Sequence, residues 1–464
     1  MERRVKAINN ISISSIIYVS IGFAFSFILS QILNKINLQF YMSPFIFLTA
    51  ALSVFLDYKL KPPKPLISNL VYGIIIFFAF LQLRNIYSSF TEIQPWDFPS
   101  IYLYAKTGHT GNNFYSPDLF KQIYNSIGII PYTDEYLVPA VIKVGFIYPP
   151  PTMLLFYPLG WFDFETGYVV WQSLITLFFI LDIYLLIKII WEESIFRNLK
   201  PEITALLILI IFLFPGLTFT IALSQTNTLL LFLVLMTVRF KNTYISGISL
   251  PLMILIKPFA VIFMIYFIVI RKWKLIFISF LTGMAILMIT GLVFNFDIFI
   301  DYFSSLPSSR LPEFVFSEPI NNSLNAVILR VNASHGDFLS PQQIKLLVGS
   351  ISSVLLLVTL WNTKRLQKIN NRLALLSYIP LSLIVYPGTL AHYNIILLPL
   401  IIYSLAELNA YLSKFWLLIG ASILVMSSIS LFQLNFTLII ILLVLPNIDH
   451  LKSYIPGLNR VKLD

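Results

Sequence analysis

Apolar stretches long enough to cross a lipid bilayer recur from one end of this chain to the other, and no other feature constrains its fold more. Crossing the hydrocarbon core takes roughly 17–25 predominantly apolar residues in a helix. Only 11% of the 464 residues are charged and 58% are hydrophobic, with a mean hydropathy of +0.84. A soluble globular protein averages roughly 25% charged residues. The expected fold class is therefore an all-α polytopic membrane protein. The run at 11–33 follows the basic start "MERRVK". It is too long for the roughly 7–15-residue core of a signal peptide and lacks an A-x-A-like cleavage site, so it reads as a retained anchor. There is no cysteine, which excludes disulfides, thiol catalysis and Cys-ligated zinc. The net charge of +10 does not point to nucleic acid. Its lysines and arginines sit in short connections between apolar runs, where they act as a topology signal.

Those basic clusters are "MERRVK", "YKLKPPKPL" (58–66), "RNLKP" (197–201), "RFK" (239–241), "RKWK" (271–274), "TKRLQK" (363–368) and the tail "NRVKLD". Assigning them to the cytoplasm gives a nearly consistent alternation, with both termini inside a multi-pass cell-membrane protein. Spans are then expected near 11–33, 42–57, 66–84, 166–190, 203–222, 227–239, 244–257, 258–270, 275–296, 343–361, 373–389, 391–411, 414–431 and 434–447. At Lys257-Pro258 the alternatives are one longer kinked helix or two short helices, and the charge alternation favours two. The division expected is N-terminal helices over 1–84, a long outer loop over 85–165, and a helical bundle over 166–464 carrying a second outer loop at 297–342. Most of the unusual polar residues fall on the outer face. No repeat of 20–50 residues is evident.

The first loop opens with "EIQPWDFPSIYLYAKTGHTGNNFYSPDLF" (92–120), a polar and aromatic segment in an otherwise oily chain. Pro99 suits an early helix position and Gly108 a helix end, which puts Asp97 just ahead of a helix. The positive end of the helix dipole would favour an ionised carboxylate there. Its plain alternative is a helix cap. Trp96 and Phe98 flank Asp97, and both prefer a membrane interface. Further on, "GFIYPPPTMLLFYPLGW" (145–161) carries three prolines and then an apolar run. Together these segments predict amphipathic helices at the membrane surface.

Several motifs in order carry a resemblance. An Asp-Phe followed by "YLYA", then "GNNFYSP", then "YPP" with Pro158 resembles the first-loop signature of glycosyltransferase family 87, the alpha-mannosyltransferase-like group of the GT-C superfamily. "SQTNTLLLFLVLMTV" resembles that family's Gly-Gln-x-Asn segment opening a helix, and "ISGISLPLMILIKPF" its Gly-containing helix ending in Lys-Pro. "NNSLNAVILRV" and "YPGTLAHYNIILLPL" resemble its Asn-x-Ser-Leu…Arg and Pro…His-Tyr segments. The matches run from about Trp96 to Leu400. Ser224 departs from the usual glycine, and two extra spans precede the Asp loop. The resemblance implies a GT-C-type fold with about 12–14 transmembrane helices, a polyprenyl-phosphate sugar donor, and no metal or cofactor. Its partners would be that donor, a lipid or glycan acceptor and membrane lipids, with no nucleic acid.

Such a transfer is a direct displacement with inversion at the anomeric carbon, in which a base takes the acceptor hydroxyl proton. Asp97 is the expected base. The departing phosphate calls for positive charge. Lys257 lies between two apolar runs, where a cation is costly and by default functional, its alternative being to snorkel. Arg330 offers a bidentate fork suited to phosphate, or a structural ion pair. His392 joins Asp97 as a catalytic candidate through its place in the late motif; its alternative is packing. Gln225 and Asn227 bring amides to a helix mouth for sugar hydroxyls, although Asn227 could be only a cap. Tyr148, whose alternative is to anchor at the membrane interface, and Asn322 complete the substrate-binding set. Asp163 and Glu165 have a spacing that can hold Mg²⁺, or simply begin a solvated helix. His109 and His335 read as ordinary loop residues. The rival function is a polytopic transporter or lipid-linked-sugar flippase, which usually shows repeated halves and buried midplane acids. A purely structural subunit has no specific feature in its favour.

Overall fold

The computed structural model describes residues 65–91, 97–109, 148–197, 201–241, 243–305, 321–411 and 431–447, together with scattered single positions. The expected spans 11–33, 42–57 and 414–431 lie outside the described residues, wholly or for all but isolated positions. So do Trp96 and most of the "GNNFYSP" motif. Among the described residues every regular element is a helix, and the sole β-type pairing is an isolated bridge between Asn321 and Leu390. That follows from the solvent: in hydrocarbon the backbone N–H and C=O groups must be paired within the segment itself.

The principal helices are α1 (Pro65–Thr91), α2 (Phe98–Gly108), α3 (Thr152–Phe156), α4 (Phe164–Glu192), α5 (Pro201–Leu213), α6 (Pro215–Ala222), α7 (Asn227–Arg239), α8 (Tyr244–Ile256), α9 (Ile262–Val269), α10 (Trp273–Phe294) and α11 (Asp297–Ser305). After them come α12 (Leu324–Ser334), α13 (Pro341–Ile369), α14 (Asn371–Leu376), α15 (Tyr378–Val385), α16 (Leu398–Tyr411) and α17 (Leu431–Val444). Tight 3₁₀ turns precede α9 and α16, over Pro258–Val261 and Ala391–Leu397. Five stretches among the described residues are long and apolar enough to span a membrane: Asn69–Thr91, Phe164–Glu192, Trp273–Phe294, Pro341–Ile369 and Ala391–Asn409. Shorter apolar helices lie between them, each close to an expected span. The choice at Lys257-Pro258 resolves as two short helices. α8 ends at Ile256, Lys257 is extended, and the next turn starts at Pro258.

The chain forms two compact units, each discontinuous in sequence. One comprises Met1–Asn85, Ile183–Pro215 and Ile401–Asp464; the other comprises Ile86–Asp182 and Gly216–Leu400. In the first, α5 is apolar and almost fully buried over Ala205–Leu213, and Phe196 meets Tyr403 edge to face at 5.4 Å. Gln82 Nε2 donates to the Phe212 carbonyl at 3.1 Å, satisfying a polar side chain in that core.

The second unit carries the polar motifs. Ser246 Oγ donates to the Thr237 carbonyl at 3.0 Å and Ser279 Oγ to the Gly247 carbonyl at 2.8 Å, which pins α8 to α7 and α10. The first loop contains helices, as its sequence predicts, but α2 is enclosed instead of lying with one face open. Nine of its 11 residues are buried, within an aromatic cluster that includes Phe98, Tyr102, Phe156, Tyr168 and Trp171. The loop is closed by contacts too near for larger side chains. Gly160 lies so close to α2 that a Cβ there would strike the His109 ring and approach the Ala105 carbonyl oxygen to 2.7 Å. That ring in turn stacks on Tyr157 at 4.1 Å and bonds the Tyr157 carbonyl at 2.9 Å, so His109 is a packing residue and no free loop histidine.

Two acids lie within the helical bundle rather than in a loop. Asp182 and Glu407 are buried inside spanning helices, and neither Asp182 carboxyl oxygen has a hydrogen-bond partner.

The Gly160 contact yields a prediction. Gly160→Ala should lower the melting temperature of the purified protein by several degrees, because overpacking against backbone costs about 1–3 kcal/mol. An unchanged melting curve would show that α2 yields freely.

Candidate active site

Asp97 sits at the N-cap of α2, with Pro99 in the first turn and Gly108 at the end, as the sequence predicts. Its carbonyl accepts from Ser100 Oγ at 2.7 Å, yet its carboxylate makes no capping bond. The side chain turns away and accepts a short hydrogen bond on Oδ2 from Gln225 Nε2. Capping is therefore not its role, and among the described residues nothing donates to Oδ1. Burial pushes the Asp97 carboxyl above the usual range, while the Gln225 bond and the nearby Lys257 charge pull it back.

Gln225 owes its aim to a break between helices. The chain leaves α6 and turns through Ser224, which has φ of +56°. In this left-handed region a Cβ costs about 1–2 kcal/mol. The departure from glycine at this position is thus conformationally expensive. Thr226 is the N-cap of α7 and makes no side-chain cap bond, so Asn227 is already helical and is not the cap. Asn227 Nδ2 and Thr220 Oγ1 instead each reach the His392 carbonyl, at 3.4 Å. Six buried polar atoms around this break have no hydrogen-bond partner: Gln225 Oε1, Thr226 Oγ1, Asn227 Oδ1, Thr228 Oγ1 and both ring nitrogens of His392. An unsatisfied buried polar group costs about 1–3 kcal/mol, so the cluster suits a polyhydroxylated ligand that would satisfy it.

The second break is at Lys257, which is only 3% exposed. Its Nζ donates to Tyr393 Oη at 2.9 Å and lies over the rings of Tyr393 and Tyr148, at 4.3 and 5.0 Å from their centroids. It does not snorkel. Among the described residues no carboxylate pairs directly with Lys257, although the Asp97 carboxylate attracts it at longer range. The proline run places Tyr148. Thr152 Oγ1, just after it, donates to the Leu255 carbonyl at 2.7 Å, which ties the run to the end of α8. Burial pushes the Tyr148 phenol up to about 12, so it stays neutral.

The third break lies between α15 and the 3₁₀ turn that carries His392. Its Pro387–Leu390 segment, a turn ending in the bridge residue Leu390, pairs with Asn321 and Asn322. Asn322 N donates to the Thr389 carbonyl at 2.8 Å, and Asn321 Nδ2 to the Pro387 carbonyl at 2.9 Å. Arg330 Nη1 donates to the Asn321 carbonyl at 2.9 Å. Arg330 therefore joins the group through the Asn321 backbone. Ser323 caps α12 and so fixes the register of Asn322 and Arg330.

Asp97, Tyr148, Gln225, Asn227, Lys257 and His392 thus come together within the second unit, with Asn322 and Arg330 on the segment paired to the His392 break. Asp163 does something else: both carboxyl oxygens bond Thr166, at 2.8 and 3.2 Å, which starts α4 and holds this acid below the usual range. His335 bonds the Val331 carbonyl at the end of α12. Sequence reading missed Tyr393, although it stands beside His392 in the same motif, and missed Gln172 and Asp182. An acid or amide inside an apolar helix is visible in sequence, and it signals a specific partner or a cost.

A carboxylate with one free oxygen, a buried cation with no directly paired carboxylate and an unsatisfied polar lining together suit displacement of a phosphate from a polyol. The family model of glycosyltransferase family 87 matches residues 146–387, just over half of the chain. The match takes in Tyr148, Gln225, Asn227, Lys257, Asn322 and Arg330; Asp97 and His392 lie outside it. No curated protein and no solved structure matches the chain significantly. With its spanning helices and this match, the chain belongs to glycosyltransferase family 87 and is a membrane glycosyltransferase.

Proposed function

We propose that this enzyme moves a sugar, with mannose the first candidate, from a polyprenyl-phosphate donor to a lipid or glycan acceptor on the outer face of the cell membrane. The observation that carries the reading is the buried Lys257, with no directly paired carboxylate, beside the Asp97–Gln225 pair. In this reading Asp97 Oδ1 takes the proton of the acceptor hydroxyl. The acceptor oxygen forms its bond to the anomeric carbon from one side as the carbon–oxygen bond to the lipid phosphate breaks on the other, which inverts the configuration. The phosphate departs with the bonding electrons, and Lys257 stabilises the negative charge that develops. In a site of low effective dielectric such a charge counts for more than in water. Arg330 and Asn322 would hold the lipid phosphate, the orphaned oxygens of Gln225 and Asn227 the sugar hydroxyls, and His392 the phosphate or sugar. The role of Tyr148 is to keep Lys257 in place through its ring.

The assay is transfer of radiolabelled sugar from synthetic polyprenyl-phosphate donors by the purified protein. Asp97→Asn should lower turnover by about 10²–10⁴-fold, the usual worth of a positioned base, while donor binding persists. More than about a tenth of wild-type turnover would remove Asp97 as base. Because burial raises the Asp97 carboxyl, it must lose its proton at a higher pH than an ordinary aspartate. The acid limb of kcat/KM should therefore lie above the usual value of about 3.9. A limb at or below that value would show that another group titrates.

Lys257→Gln should depress kcat by about 10²-fold or more, as expected for losing charge stabilisation of a leaving group. If only KM changed, Lys257 would be a binding residue and not part of the chemical step.

The proposed sidedness can be read separately, because the chain has no native cysteine. A membrane-impermeant maleimide added to intact cells should modify Glu165→Cys and spare Lys368→Cys. The reverse pattern would put the site on the cytoplasmic face and exclude this donor geometry.

A further inference from the structure

One face of α4 is given over to holding the Ser224 turn. Trp171 Nε1 donates to the Ser224 carbonyl at 2.8 Å. Ser224 Oγ donates to Gln172 Oε1 at 2.8 Å. The Gln172 amide nitrogen, in turn, donates to Ser89 Oγ at 2.9 Å and to the Ile221 carbonyl at 3.3 Å. Tyr168 closes the set by donating to the Ser89 carbonyl. Residues 168, 171 and 172 share one helix face, since neighbours three and four apart lie side by side. Trp171, Gln172 and Ser224 are at most 1% exposed. An apolar helix that buries a glutamine must bond both ends of its amide, and both ends here serve the turn or its support.

That turn has a backbone conformation which a serine adopts at a cost. It persists only where the surroundings over-determine it. The next residue, Gln225, carries the amide that touches Asp97. We propose that Gln172 and Ser224 act as positioning residues: their buried hydrogen bond locks the left-handed turn and so holds the Gln225 amide on the Asp97 carboxylate. The proposal rests on Asp97 being the base. It assigns to α4 a part in setting the reactivity of that base. It also states what a serine needs at a position where glycine would adopt the turn unaided.

The test uses the full-length protein, with transfer from a polyprenyl-phosphate sugar measured across pH. Ser224→Ala keeps the Cβ and loses the anchor, so the turn relaxes and the amide leaves Asp97. Its kcat should fall at least about tenfold, part of the ~10²–10⁴ that a positioned base provides, with KM nearly unchanged. The acid limb should move to higher pH, because a hydrogen bond to a carboxylate favours its charged form. Ser224→Gly loses the same hydroxyl but adopts the turn freely, and should stay within about threefold of wild type with an unshifted limb. Gln172→Leu should behave like Ser224→Ala, and adding Ser224→Gly should restore most of its activity. A Gln172→Leu protein that does not fold leaves the Ser224 pair to decide. Wild-type kcat and acid limb in Ser224→Ala, or equal losses in Ser224→Ala and Ser224→Gly, would overturn the brace. An active Asp97→Asn protein would overturn the base itself. An inactive Asp97→Asn beside an unaltered Ser224→Ala would overturn the brace alone.

Discussion

An ammonium group buried without a directly paired carboxylate is the feature around which this site is organised. Removing a charge from water is costly, and the usual remedy is an ion partner with further hydrogen bonds. Lys257 has instead the Tyr393 phenol oxygen, a weaker interaction with the Tyr148 hydroxyl, and the aromatic faces of both residues. Such contacts offset only part of the loss, by about 0.5–2 kcal/mol for each cation–π pair. The positive potential that remains favours an anion nearby, and Asp97 feels it across the site. A full salt bridge between the two would have been stronger and would have consumed both groups.

The helix breaks follow from the same economy of polar groups. Backbone that is not helical is tolerated at membrane depth only where it is buried in protein or lines a cavity. Breaks at Ser224–Thr226, at Lys257 and at Tyr386–Leu390 all belong to the second unit. Their backbone is satisfied by neighbours: Asn322 serves Thr389, Asn321 and Ser323 serve Pro387, and Trp171 serves Ser224. The side chains are not all satisfied. Backbone needs are thus met within the protein, while the orphaned oxygens and imidazole nitrogens are left for a ligand.

Asp182 shows the opposite case. It is fully buried in α4 with neither carboxyl oxygen bonded, and no part of the transfer chemistry described above uses it. Midway along an apolar helix, an acid of this kind is what a transporter would carry. Membership of a glycosyltransferase family over residues 146–387, which include it, makes the protein an enzyme regardless. The buried carboxyl on α4 therefore has no role assigned to it, and α4 acts on the site through Trp171 and Gln172 instead.

The sequence by itself determined the class of fold, most helix positions and the break at Lys257. Each of these follows from local facts: the length of an apolar run, the rigid ring of Pro258, the helix-starting habit of Pro99. It also singled out Asp97, Gln225, Asn227, Lys257 and His392 through short motifs in a fixed order. What those residues touch was not legible. Asp97 reads equally as a cap or as a free acid, and only the approach of Gln225, 128 residues later, separates the two. Asn227 reads as a sugar-binding amide or as a cap; Thr226 occupies the cap position, and the Asn227 amide reaches the His392 carbonyl. The reason is range: a side chain's hydrogen bonds inside a membrane bundle are set by which helices pack together, and packing is a property of the whole chain. Gln172 has no motif at all, and only its contact with the left-handed turn at Ser224 gives it a meaning.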